Sequence, residues 1–217
     1  MKIDYDLIND APSRLNPLGD RELCLGNLKI SEIENLLLTK NQYDTIDLSS
    51  NDLKKLENFP LLTRLKTLLV SNNTIAKIDA SIGLKLPSLK TLVLTNNDLK
   101  QLGDVPVLNF KRLESLVLLG NPVSKLLHYR EYMISNLESL KYLDFQKVTA
   151  EERSVASIMF QGAKGTGLLD QIVKTTVAQP SGPSMEEIQK LKLALSQAKS
   201  LEEITILERQ LQLQTGR

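Results

Sequence analysis

Apolar and polar positions recur in a fixed unit along most of this chain. In four windows two apolar residues flank a variable one, an asparagine follows three positions later, and another apolar residue comes two positions after that. The windows run from Ile46 to Leu53, Leu68 to Ile75, Leu92 to Leu99 and Leu116 to Val123. Their asparagines, Asn51, Asn73, Asn97 and Asn121, are separated by 22, 24 and 24 residues. A period in this range predicts stacked units, each burying its apolar face only against its neighbours.

The windows match the L-x-L-x-x-N-x-L core of a leucine-rich repeat. The predicted fold class is therefore α/β, a leucine-rich-repeat solenoid with a parallel concave sheet. The apolar pair of each unit points into the core from a short strand. The asparagine, with donors and acceptor on one short side chain, satisfies backbone groups at the bend that follows. One atypical unit flanks the ladder on each side, with Leu28 or Val148 where Asn would stand. Pro60, Pro87 and Pro106 fall in the return segments, where irregular or 3₁₀ turns are expected.

Beyond Asn121 the periodicity changes. Leu126 to Ile134 reads as a short helix, followed by the last strand. Ala150 to Met159 reads as another, opened by Thr149 with Glu152 three residues on, a capping box. After the glycines at 162, 165 and 167 a second short helix ends near Thr176. The predicted organisation is a leucine-rich-repeat domain with both caps over 1–176, a linker over 177–183 and a two-helix tail over 184–217. Ser184 and Ser200 each precede a glutamate by three residues. The helices they open carry Ile188, Leu191, Leu195 and Ala198, then Ile204, Leu207 and Leu211, on one face.

Alternation along a strand places the residues beside the buried leucines on the concave face. The middle position reads Cys24, Asp47, Leu69, Val93, Val117 and Asp144 from first unit to last. The preceding one reads Glu22, Thr45, Thr67, Thr91, Ser115 and Tyr142, and the following one Gly26, Ser49, Ser71, Thr95, Leu119 and Gln146. Leu69, Val93, Val117 and Leu119 form an apolar floor amid small hydroxyls, with Asp47 and Asp144 at its flanks. Adjacent exposed apolar residues mark a partner site. The expected ligand is an amphipathic helix, anchored on the floor and oriented by the two aspartates.

Composition narrows the chemistry. The 217 residues carry 27 basic and 26 acidic side chains, a net of +1, which is not the field of a protein that grips nucleic acid by charge alone. Only 4% of residues are aromatic and none is Trp. The concavity offers one basic candidate, Lys147, and no row of aromatics for base stacking. Cys24 is the only cysteine, which fits a reducing compartment, and His128 the only histidine. Together they form no metal-ligand cluster, and no cofactor is expected. Gly162 to Gly167 lacks the preceding strand and the Lys-Ser/Thr pair of a phosphate loop. No nucleophile–base constellation occurs. The amino terminus has no apolar signal region, and no apolar run reaches membrane-spanning length. A non-enzymatic scaffold is expected.

The capping region is more discriminating than the repeats. Asn121-Pro122-Val123, Tyr129-Arg130, Tyr132, and Leu140 through Val148 followed by Glu152-Arg153 closely resemble the A-prime family of the U2 small nuclear ribonucleoprotein. So do Asp20 to Leu23 and Phe59 to Val70. The resemblance implies a nuclear splicing scaffold that seats a helix of an RNA-recognition-motif protein of the B-double-prime type in its concave sheet. With that partner it would hold a U2 snRNA stem-loop, most base reading being the partner's. Carried onto this chain, the partner contacts are Asp47, Thr67, Leu69, Thr91, Val93, Thr95, Val117, Leu119, Tyr142 and Asp144. The RNA-proximal residues are Lys147, Arg153 and Lys164. Other spliceosomal proteins are further partners on this reading. The alternative is a phosphatase-regulatory or cytoskeletal repeat adaptor without RNA.

Overall fold

The computed structural model describes residues 3–106 and 109–160. In chain order its elements are α1 (Tyr5–Asp10), β1 (Ser13–Leu15), β2 (Arg21–Cys24), β3 (Thr45–Asp47), β4 (Lys55–Leu56), β5 (Thr67–Leu69), β6 (Lys77–Ile78), α2 (Ile82–Lys85), β7 (Thr91–Val93), β8 (Ser115–Val117), α3 (Tyr129–Asn136), β9 (Tyr142–Leu143), β10 (Gln146–Lys147) and α4 (Ala150–Phe160). Short 3₁₀ turns at Leu36–Thr39, Leu102–Asp104 and Pro122–Lys125 lie in the return segments.

The main sheet runs β1-β2-β3-β5-β7-β8-β9-β10, parallel through its middle and closed by an antiparallel pair at each end. Register follows the repeat: Leu23 pairs with Ile46, Ile46 with Leu68, Leu68 with Leu92, Leu92 with Leu116 and Leu116 with Leu143. These residues and the second apolar member of each unit (Leu25, Leu48, Val70, Leu94, Leu118) are buried. Each such side chain removed from water stabilises the fold by roughly 1.5–3 kcal/mol before entropy is charged against it. One row of leucines thus runs the length of the sheet.

The ladder asparagines do more than close their own bends. The Asn73 amide donates to the carbonyls of Val70 in its own unit and Leu48 in the preceding one, and its Oδ1 accepts the Leu53 N–H. Asn97 repeats this with Leu94, Val70 and Ile75, and Asn121 with Leu118, Leu94 and Leu99. Asn51 reaches back to Leu25, Leu28 and Ile30 in the first, asparagine-free unit. All four are at most 8% exposed. A buried amide is tolerable only when its donors and acceptor are matched, and here the matching spans two units at every step.

Just before each ladder asparagine the backbone turns through positive φ, at Ser50, Asn72, Asn96 and Gly120. At Gly120 a side chain is excluded twice over. Its φ is +77°, and a Cβ there would collide with Asn96 Oδ1.

Two caps complete the array. The amino-terminal one is not evident in the repeat pattern: α1, capped by Asp4 accepting the Leu7 N–H, followed by the β1–β2 hairpin. The carboxy-terminal one departs from the expected helix over Leu126–Ile134. Residues 122–125 form a 3₁₀ turn, His128 adopts positive φ, and α3 starts only at Tyr129. The capping box of α4 forms as its spacing predicts, Thr149 N–H to Glu152 Oε2 at 2.9 Å and Glu152 N–H to Thr149 Oγ1 at 3.1 Å.

Candidate functional site

The open face of the sheet carries the positions between the buried leucines. Asp47, Leu69, Val93 and Val117 stand side by side in one register row, and Thr67, Thr91 and Ser115 in the next. Thr67, Leu69, Thr91, Val93 and Thr95 are half-buried, and Leu119 is 40% exposed. Val117 departs from the expectation of an exposed floor, since it is only 1% exposed. It lies between Val93 on one side and the turn that follows β9 on the other. The reachable apolar surface is therefore Leu69, Val93 and Leu119, with Val117 shut from solvent in the same row.

The first-unit end of this face is closed. Arg14 on β1 reaches Glu22 Oε1 at 3.0 Å, and Glu22 and Thr45 are buried. Cys24 turns its thiol toward the same carboxylate, and partial burial pushes the thiol pKa up.

The two flanking aspartates are not equivalent. Asp47 is half-buried, with Oδ1 accepting the Ser49 N–H at 2.9 Å. Asp144 adopts positive φ, leaves the strand, and is fully engaged in the cap. Its Oδ1 accepts the Leu118 N–H at 2.7 Å and its Oδ2 the Tyr129 hydroxyl at 2.9 Å. Asp144 is thus held by the cap, and its Oδ1 stands in for the backbone acceptor that a further repeat would supply to the Leu118 N–H. Burial, then the neighbouring carboxylate, raises the Tyr129 pKa, so the phenol stays a donor.

The basic residues separate in the same way. Lys147 is exposed on β10, opposite Tyr142, and has no acidic partner among the described residues. Arg153 donates to the Leu140 carbonyl at 2.7 Å and to that of Leu137 at 3.5 Å. Its guanidinium thus closes the turn after α3, a structural task that competes with any contact to phosphate. Lys164, the glycines at 162–167, the linker and the two tail helices lie outside the described residues.

Arg130, named in the sequence only as part of the capping motif, is the centre of the cap. It grips Glu152 through Nε at 2.7 Å and NH2 at 3.2 Å while donating to the carbonyls of Leu143 and Lys147. The Arg130 hydrogen bonds hold the Glu152 pKa down to about 2. A comparable cluster braces the amino-terminal edge. Asp44 accepts from Arg64, the Arg21 N–H and Lys66, and is likewise lowered to about 2, chiefly by Arg64.

A family description for leucine-rich repeats matches residues 1–173. The chain is 41% identical to the U2 small nuclear ribonucleoprotein A' of Homo sapiens, over 98% of this chain and 88% of that protein. The Arabidopsis thaliana A' protein is 40% identical over 97% and 90%. The chain belongs to the U2 small nuclear ribonucleoprotein A' family. As a member of the A' family it is a non-catalytic repeat protein. A chain in a solved structure described as the Drosophila melanogaster SNF/U2A' complex is 44% identical, with a TM-score of 0.75, covering 79% of this chain and 99% of that one. The A' resemblance carried by the cap is thus matched along nearly the whole chain.

Proposed function

We propose that this chain is a nuclear, non-catalytic scaffold of the U2 small nuclear ribonucleoprotein in pre-mRNA splicing. It seats a helix of an RNA-recognition-motif protein on the open face of its sheet, and the pair holds a U2 snRNA stem-loop. The observation that carries this reading is the similarity to a chain described in complex with SNF, covering 99% of that chain. The face agrees with it. Leu69, Val93 and Leu119 offer apolar anchors, Thr67, Thr91 and Thr95 small polar surroundings, and Asp47 a carboxylate at one end. Tyr142 and Lys147 stand at the other end, where RNA held by the partner would come closest. Such a surface suits an amphipathic helix, whose apolar side needs a few anchors and whose flanks need hydrogen-bonding rims.

Copurification from nuclear extract on a tagged full-length chain, with RNA sequencing of the bound fraction, tests this. U2 snRNA together with an RNA-recognition-motif protein is the expected recovery. A phosphatase catalytic subunit or cytoskeletal protein recovered without U2 snRNA overturns the reading in favour of a repeat adaptor.

A further inference from the structure

The hairpin after the last parallel strand has an unusual tip. Leu143 pairs with Gln146, which leaves a two-residue loop of Asp144 and Phe145, with φ of 52° and 63°. Two successive positive φ values make this a type I′ turn, whose preferred sequence is Asn-Gly or Asp-Gly. Asp144 suits the first position because its carboxylate is locked onto Leu118 and Tyr129. Phe145 does not suit the second. An aromatic side chain in the left-handed region is disfavoured relative to glycine, because its Cβ crowds the backbone. Nor is it compensated by burial: Phe145 is 73% exposed. A residue both strained and solvent-facing contributes nothing to the fold that glycine would not improve.

Its neighbours indicate what it contacts. Tyr142, 47% exposed, stands across the hairpin from Lys147, and Gln146 is exposed beside Phe145. Two aromatic rings, an amide and a cation with no acidic partner among the described residues lie within six consecutive residues. An aliphatic helix seat would present leucine-type neighbours and a compensated charge. Aromatic plates beside a cation and an amide instead match an unpaired nucleobase, with its flat π face, hydrogen-bonding edge and adjoining phosphate.

We propose that the β9–β10 hairpin is a direct RNA contact in which an unpaired base stacks on Phe145 and Lys147 meets the neighbouring phosphate. This deepens the function proposed above and rests on it. The rigid turn, fastened to β8 and α3 through Asp144, holds the ring ready, so little ordering entropy is lost when the base arrives.

The chain contains no Trp, so Phe145→Trp introduces a lone reporter indole at the tip. It is mixed with the RNA-recognition-motif partner, then with a U2 snRNA stem-loop oligonucleotide, the wild-type mixture serving as the blank. Base stacking predicts quenching on RNA addition and an unchanged spectrum on partner addition. A companion variant, Phe145→Gly, keeps or raises the urea midpoint, binds the partner unchanged, and weakens RNA binding by about ten-fold. A spectral shift on partner addition alone, with no response to RNA, overturns the proposal in favour of a protein anchor. Silence to both additions also overturns it. If the wild-type pair binds no stem-loop RNA, the underlying function fails as well; if it binds while the indole stays silent, only the stacking site does.

Discussion

Arg130 and Glu152, 22 positions apart, form a two-pronged pair that fastens α4 to α3. The same guanidinium holds the Leu143 and Lys147 carbonyls, so the hairpin between the helices is tied into the pair. The carboxylate meanwhile accepts the Thr149 N–H. Cap, hairpin and helix start share one ion pair.

That sharing makes the cap acid-sensitive. Glu152 titrates at about 2 in the fold against an ordinary 4.5, and Asp44 at about 2 against 3.8. Both bind a proton less readily folded than unfolded, so their stabilisation is complete above about pH 5 and lost as pH falls toward about 2. Urea denaturation at a series of pH values should show a midpoint falling across that window. Glu152→Gln should lower the midpoint at pH 7 and flatten the decline.

Breaking a rung of the ladder should be costly. Asn73→Ala strands the Leu53 N–H in a buried seam, while the Leu48 and Val70 carbonyls keep the Asn51 and Asn97 amides as donors. The expected loss is about 1–3 kcal/mol, from one unsatisfied buried donor. Asn73→Asp should be at least as damaging, because a carboxylate cannot donate to either carbonyl. Equilibrium urea unfolding measures both.

Gly120→Ala tests the second constraint at the bend. Its positive φ and the collision with Asn96 Oδ1 predict destabilisation of more than about 1 kcal/mol. Asn72→Ala, at an exposed counterpart of that position, should lose less in the same unfolding assay.

On the open face, Val93→Asp should weaken binding of the RNA-recognition-motif partner at least about ten-fold, since a charge would be buried against an apolar helix. Leu61→Asp, at an exposed leucine outside the main sheet, should leave binding unchanged. Equal losses in calorimetric titration would place the interface elsewhere.

Lys147 and Arg153 should part company in salt titrations. Lys147→Gln should reduce the slope of log affinity for the protein pair and U2 stem-loop RNA against log salt by about 1, with unchanged stability. Arg153→Gln should lower the unfolding midpoint first, because the Leu140 carbonyl loses its guanidinium donor.

The repeat array was legible in the sequence because one geometry recurs, and the same buried amide is required at every bend. The amino-terminal cap left no comparable trace: α1 is only six residues long and owes its place to packing, with Ile3 and Ile8 in the common core. Asp47 and Asp144 occupy the same phase of the pattern, yet only the first stays in a strand. Alternation cannot reveal the difference, because a type I′ turn breaks the strand at Asp144. Phe145 escaped notice for the same reason: counted as a strand residue it would point inward. Val117 met the exposure pattern in sequence, and its neighbours alone shut it from solvent.

Every ladder amide joins one unit to the next, and none reaches a common centre. Nothing in that arrangement sets how many units there should be. The array could gain or lose a 24-residue block between Asn73 and Asn97 with each remaining junction intact. Length is set only where the junctions stop, at Arg14 on Glu22 and at Asp144 on Leu118. The two closing hairpins therefore act as the ruler of the molecule, fixing how many strands its open face carries.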